Sequence, residues 1–249
     1  EYHMKIIFSR KGFDSASGGV PSPIFPDGNM LSLPIPDRQS PICYDDIKWN
    51  EYQLGSIVSQ LTKGRMPGAY RAHLDPDLRP ESIPRHDDWK PMLGQTGAAQ
   101  GHLRKYSVDK DDVFLFFGLF REVVQKDGKI AWDRTSLPRH MLWGWLQVGE
   151  VIQVDACDKT KYKWAEYHPH FHRTPEKSNT LYIAQNNMTL RGFTAIHHAG
   201  AGVFRKYSKA IQLTAPDSSR VTLWELPGWM LPRDSRPPLS YHGNSTTWR

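Results

Sequence analysis

Residues 112–121 read DVFLFFGLFR and residues 142–154 read LWGWLQVGEVIQV. Both runs are rich in β-branched and aromatic side chains, which suit a pleated, half-buried surface, so each predicts a strand. Working outward, residues 179–184 (NTLYIA), 202–207, 210–214 and 221–226 (VTLWEL) carry the same signature, and KIIFS at 5–9 supplies a first strand straight after Met4. The predicted fold class is α+β: a single β-rich domain with a curved sheet or partly open barrel, few helices and long Pro/Gly-rich loops. One helix is expected from about Asn50, as N-cap, to Lys63, with Leu54, Ile57, Val58 and Leu61 on one stripe and Gly64 at the stop. Nine glycines and prolines between Gly18 and Pro41 forbid regular helix there, and long loops inside a compact domain tend to be functional. A second irregular stretch is expected from Arg71 to Pro91. The expected organisation is one domain over 4–231 and a polar tail over 232–249, with the three residues before Met4 read as a vector-derived leader.

The 249 residues include 32 Lys+Arg against 26 Asp+Glu, a net charge of +6. Residues 203–249 hold seven Lys/Arg against three Asp/Glu, so much of the excess is C-terminal. A basic, aromatic-rich chain is drawn to polyanions by counterion release and by base stacking. Only Cys43 and Cys157 are present, which excludes a disulfide framework and Cys-rich zinc modules. No apolar run approaches the roughly 18 residues of a membrane span and no signal-peptide layout is visible, so a cytoplasmic monomer without membrane contact is expected.

Four clusters carry polar chemistry. The first, Ser9 to Gly19 (SRKGFDSASGG), follows the first strand. There Arg10, Lys11 and Ser17 can hold phosphate and Asp14 can act as general base or stabilise a developing cation. Equally, Arg10 and Asp14 can pair on the surface. The loop matches neither G-x-x-x-x-G-K-[ST] nor G-x-G-x-x-G, so no nucleotide cofactor is expected. In RAHLDPD (71–77), an extended segment puts His73, Asp75 and Asp77 on one side beside Arg71, where a carboxylate next to a histidine can orient water; Asp-Pro-Asp is also ordinary turn chemistry. GQTGAAQGH (94–102) offers Gln95, Thr96, Gln100 and His102 to a base edge, or else a packed helix start with Thr96 capping and Ala98 and Ala99 buried. HPHFH (168–172) alternates three imidazoles, with His197 and His198 as possible additions. Pro169 disfavours a central strand and no carboxylate partner is assigned, so no metal is expected, and His168 and His170 are read as contacts to a base or phosphate. Trp224 and Trp229 are candidates for a surface role.

The pair DVFLFF and GWLQVGEVIQV, about 45 residues, resembles the small barrels of the PUA, ASCH and EVE type, which read nucleic acids. KIIFSRKGFDSASGGVPSPIFPDG, RAHLDPDL and GQTGAAQGHL, followed by DVFLFFGLFR and LWGWLQVGEV, together resemble the third type of nucleotide-modification-associated domain, a prokaryotic and viral group linked to hypermodified DNA bases. This resemblance runs from Met4 to about Trp229. It implies an antiviral DNA glycosylase that extrudes a modified base, such as a glycosylated hydroxymethyl-pyrimidine, from phage DNA and hydrolyses its N-glycosidic bond without a cofactor. Asp14 or Asp75 would then be the carboxylate, with His73 beside it, and Lys11 would be the amine of any lyase step. Arg10 and Lys11 would hold phosphates, and Gln95, Gln100, His168 and His170 would read the base. The alternatives are a non-catalytic PUA/ASCH-like reader of modified bases and a transferase that installs the modification.

Overall fold

The structure is a computed structural model and describes residues 4–190, 198–228 and 230. In chain order its strands are β1 (Ile6–Arg10), β2 (Ser22–Ile24), β3 (Lys48–Trp49), β4 (Tyr52–Gln53), β5 (Met92–Gln95), β6 (Val113–Lys126), β7 (Lys129–Trp132), β8 (Arg139–Gln153), β9 (Thr180–Ala184) and β10 (Ala201–Val203). The α-helices are α1 (Leu54–Leu61) and α2 (Gly97–Lys105). One mixed eight-stranded sheet runs β1-β6-β8-β9-β5, with β2 and β7 added along β6 and β10 along β8. The result is a β-rich α+β domain, as expected. No described helix is long and apolar enough to cross a membrane.

The quoted runs form the spine. β6 and β8 pair antiparallel from Val113↔Gln147 to Phe120↔Arg139. Side chains alternate across a strand, and β6 uses both faces. Phe114 and Phe116 are fully buried with Leu146, Trp143 and Tyr182, while Leu115 and Phe117 join Leu142, Leu213 and Trp224 on the other side. Each buried phenylalanine contributes about 1.5–3 kcal/mol relative to exposure.

The sheet curls without closing into a barrel. β1 and β5 end the strand order, yet Lys11, one residue past β1, reaches the Gly94 carbonyl in β5 with its Nζ at 3.5 Å. β8 carries much of the bend. Its first half pairs with β6 and its second with β9, and the register slips between Val148 and Glu150, around Gly149. Such slips kink a strand and increase its twist. At Gly118 a Cβ would lie 2.6 Å from the Lys11 carbonyl oxygen, so only glycine lets the chain leaving β1 cross β6 this closely.

Several expected elements differ. Residues 210–214 and 221–226 are not strands. Lys209–Ile211 is a 3-10 turn, and the remaining pairing is isolated bridges, Met141↔Gln212 and Thr214↔Trp224. Leu213, Trp224 and Leu226 are apolar because they cover one face of the sheet. The 202–207 strand is only Ala201–Val203. The helix begins at Leu54, because Trp49 and Tyr52 pair as a tight hairpin whose turn residue Asn50 adopts φ 53. Asn50 is therefore not the N-cap; Gln53 is, without a side-chain cap bond. Thr96 does occupy the N-cap of α2, but its hydroxyl contacts Ser178 at 3.2 Å, and Ala98 is exposed. His168 to His172 form a 3-10 turn entered through Pro169, so the three imidazoles do not line one strand face.

Candidate active site

The 71–78 segment is held by bridges Pro36↔Ala72 on one side and Asp77↔Met92 on the other, but between them the Leu74 and Asp75 N–H groups each bond the carbonyl two residues back, at 3.2 and 2.8 Å, so it is kinked and not the alternating strand expected. This places His73 and Asp75 between the Pro-rich loop and β5. The Asp75 side chain is 1% exposed, and both its oxygens are engaged. The Gly94 N–H donates to Oδ1 at 2.6 Å, and Lys11 Nζ donates to Oδ2 at 3.3 Å. His73 Nε2 stands 3.6 Å from Oδ2. His168 Nε2 lies 3.4 Å from Oδ1 outside hydrogen-bond geometry, and among the described residues that buried nitrogen has no hydrogen-bond partner. Gly94 is required here because a Cβ would fall 2.1 Å from the His170 ring.

The electrostatics follow from this packing. Burial alone would raise the Asp75 carboxyl, but the Lys11 ammonium, with His168 and His73, outweighs it and holds the group well below the usual carboxylate range. Burial likewise opposes a charge on His73, yet its contacts to Asp37 and Asp75 prevail and raise it. The Asp37 contact is 2.7 Å, from His73 Nδ1 to Oδ2. His170 behaves oppositely: burial, only partly offset by Asp75, pushes it down to about 3, so its ring is neutral. Its Nδ1 meets Asn179 Oδ1 at 2.7 Å.

A cleft passes beside Asp75, while Lys11, His73, His168 and His170 do not line it. Its inner part is lined by Gly12, Ser32, Leu74, Asp75 and Trp143. The outer part, about 220 Å³, is lined by Trp49, Asn50, Arg79, Glu81, Trp143 and Arg205. Arg79 pairs with Glu81 at 3.2 Å, and Arg205, 75% exposed, approaches Glu81 at 3.7 Å. Trp49 stacks between Phe25 at 4.5 Å and the exposed Tyr52 at 6.4 Å, and the buried Trp143 indole N–H has no hydrogen-bond partner among the described residues. The two rim arginines, which share Glu81, suit an anionic group and the aromatic wall suits a planar ring, whereas the Asp75 carboxylate, already paired with Lys11, suits a group that develops positive charge.

Of the residues singled out by sequence, Lys11, His73, Asp75, His168 and His170 converge. Arg10 and Asp14 pair with each other at 2.9 Å, and Asp14 Oδ1 accepts the N–H groups of Ala16 and Ser17 at 2.7 Å. Their electrostatic neighbour is His140, and among the described residues Asp14 makes no bond to the Asp75 cluster. Arg71 turns to the Pro41 carbonyl, and Asp77 is taken by a bidentate pair with Arg85 at 2.7 Å. Gln100 accepts from the Tyr182 hydroxyl inside the core, Gln95 ends β5 half-buried, and His102 packs on Tyr106. Thr96 is held by Ser178. His197, Trp229 and the 232–249 tail lie outside the described residues. Sequence reasoning missed Asp37, Asn179, Trp49, Arg79 and Arg205; the Pro-rich setting of Asp37 was the one available signal, as a long loop is suited to reach a site.

No curated protein and no solved structure matches the chain. The family described as nucleotide modification associated domain 3 matches residues 5–249, which include every residue of the cluster and of the cleft. The chain belongs to the nucleotide modification associated domain 3 family.

Proposed function

We propose that the chain is a DNA N-glycosylase that removes a modified base, in defence against phage. The observation carrying this reading is Asp75, a carboxylate kept ionised by Lys11 at the inner end of a cleft with an aromatic wall and an arginine rim. N-glycosidic hydrolysis develops positive charge on the sugar, and a preorganised anion stabilises it. Water adds its hydroxide to C1′, the bond to the base breaks, and the base leaves with a proton. His73, positioned by Asp37, is the group suited to move that proton. At about 220 Å³ the outer cleft falls below the roughly 300–1,000 Å³ of ligand-sized sites. Entry of a flipped nucleotide therefore requires the Arg79, Glu81 and Arg205 rim to open. Incubation with phage DNA carrying modified bases is expected to yield free base and abasic sites, with none from unmodified DNA. Absence of release from every modified DNA tried contradicts the proposal.

The near-complete burial of Asp75 favours a second reading, a reader that binds modified DNA and uses the cluster as a structural pillar. In that case Asp75→Asn leaves DNA binding intact, and no protein preparation releases base.

A further inference from the structure

His170 is not explained by the ion pair beside it. Asn179 Nδ2 donates to Asp155 Oδ2 at 3.0 Å and to the His170 carbonyl at 2.9 Å. Those two bonds orient the amide so that its Oδ1 faces His170, where it can only accept. His170 Nδ1 therefore carries the proton and Nε2 carries the lone pair. His73 Nδ1 is likewise committed to the Asp37 carboxylate and its Nε2 faces Asp75, so an ion bound there displaces the Nε2 proton to solvent. Acceptors at Nδ1 that fix the tautomer and ring angle are the outer-shell arrangement of metal-ligating histidines. One ligand atom from each of His73, Asp75 and His170 lies within 4.8 Å of the others, and the two histidine rings are 5.5 Å apart.

We propose that Nε2 of His73, Nε2 of His170 and Oδ2 of Asp75 bind a divalent first-row transition-metal ion. Two imidazoles and one carboxylate are a donor set taken by zinc and by ferrous iron. Ligands around a tetrahedral zinc stand about 3.4 Å apart, given bonds of about 2.0–2.1 Å, so His73 Nε2 and Asp75 Oδ2 at 3.6 Å are already near that spacing. His170 offers a ligand atom within 4.8 Å of those two, so binding requires its ring to be drawn inward toward that spacing. Asp75 Oδ1 stays fixed by the Gly94 N–H and takes no part. Lys11 Nζ competes for Oδ2, with the Gly94 carbonyl at 3.5 Å as its alternative acceptor. The sequence concealed this donor set because it joins residues about a hundred positions apart, whereas only the local His168 to His172 run showed ligand spacing.

The test uses the full chain, freed of metal with a chelator and titrated with Zn²⁺, and with Co²⁺ for its visible absorption. One equivalent of each is expected to bind, with the cobalt spectrum of a mixed nitrogen and oxygen site. His170→Gln is expected to weaken binding by about a hundredfold, and Asn179→Ala by about 10–100-fold through the outer shell. Lys11→Met is expected to tighten it. Because Asn179→Ala and Lys11→Met act in opposite directions, the pattern is readable even if His170→Gln fails to fold. Absence of saturable binding overturns the proposal, as does binding indifferent to both Asn179→Ala and Lys11→Met. His73 Nε2 and Asp75 Oδ2 cannot hold the ion and act on the sugar at once, so base release is measured with metal-free and metal-loaded protein: release by a protein that binds no metal removes this inference alone, binding without release in either form removes only the glycosylase reading, and release by the metal-free form that stops on loading supports both.

Discussion

Lys11 Nζ and Asp75 Oδ2, 64 positions apart in sequence, meet at 3.3 Å where the two ends of the curled sheet come together. The pair is buried, with Asp75 nearly inaccessible, so removing either partner strands the other charge. Lys11→Met and Asp75→Asn are each expected to cost about 3–5 kcal/mol, as broken buried pairs do. The double variant is expected to cost less than their sum by about 1–3 kcal/mol. Urea unfolding of the four proteins measures this coupling, and strict additivity excludes the pairing.

Gly94 lies where the Asp75 carboxylate, the Lys11 ammonium and the His170 ring converge. Gly94→Ala places a methyl inside the His170 ring, an overpacking expected to cost about 1–3 kcal/mol. Its melting temperature is expected to fall and base release to be lost, whereas Gly101→Ala in α2, with nothing within 4 Å of its Cβ, is expected to retain release. Release undiminished in Gly94→Ala contradicts the assigned position of His170.

His140 accepts a 3.0 Å hydrogen bond from the Trp224 indole on the opposite face of the sheet. Burial, with a smaller push from Arg10, lowers it from 6.5 to about 4. Between those values the unfolded chain binds the proton and the folded one does not, so stability is full above about pH 6.5 and is lost as pH falls toward 4. The drop is about 3 kcal/mol at about 1.4 kcal/mol per pH unit. His140→Gln is expected to flatten the profile across that window in denaturant titrations; an unchanged slope contradicts the buried neutral ring.

Arg79 and Arg205 border the cleft mouth around Glu81. If they meet DNA phosphates, Arg205→Ala weakens binding to modified and unmodified DNA alike and lowers the slope of log affinity against log salt by about 1. Arg71→Ala, whose guanidinium serves the Pro41 carbonyl, is expected to leave the slope unchanged. Fluorescence anisotropy across a salt series separates the two.

The spine of the fold is legible in sequence because β6 and β8 bury aromatic and β-branched side chains over long uninterrupted runs. Residues 221–226 have the same composition but cover a sheet face without joining the ladder, and composition does not separate those two roles. At the site, the closeness of His73 and Asp75 is readable from their two-residue spacing, although a tight turn between them, closed by the Asp75 N–H on the His73 carbonyl at 2.8 Å, replaces the strand alternation. His170 is visible only as a residue: Pro169 turns the chain, so its ring meets Asn179 and the Gly94 backbone, with His168 beside it inside the same turn and not along a strand face. Asp37 is hidden more deeply, since an aspartate among prolines reads as a turn until the loop folds back on His73. Asp14 has the opposite character. Its motif is conspicuous, and the structure gives it local work within its own loop.

The central claim, that the carboxylate beside Lys11 is the reacting one, is tested most directly by single-turnover base release from modified phage DNA by Asp75→Asn and Asp14→Asn. Release is expected to vanish in Asp75→Asn while DNA binding persists, and to continue in Asp14→Asn. Release that survives Asp75→Asn and is lost in Asp14→Asn contradicts the account.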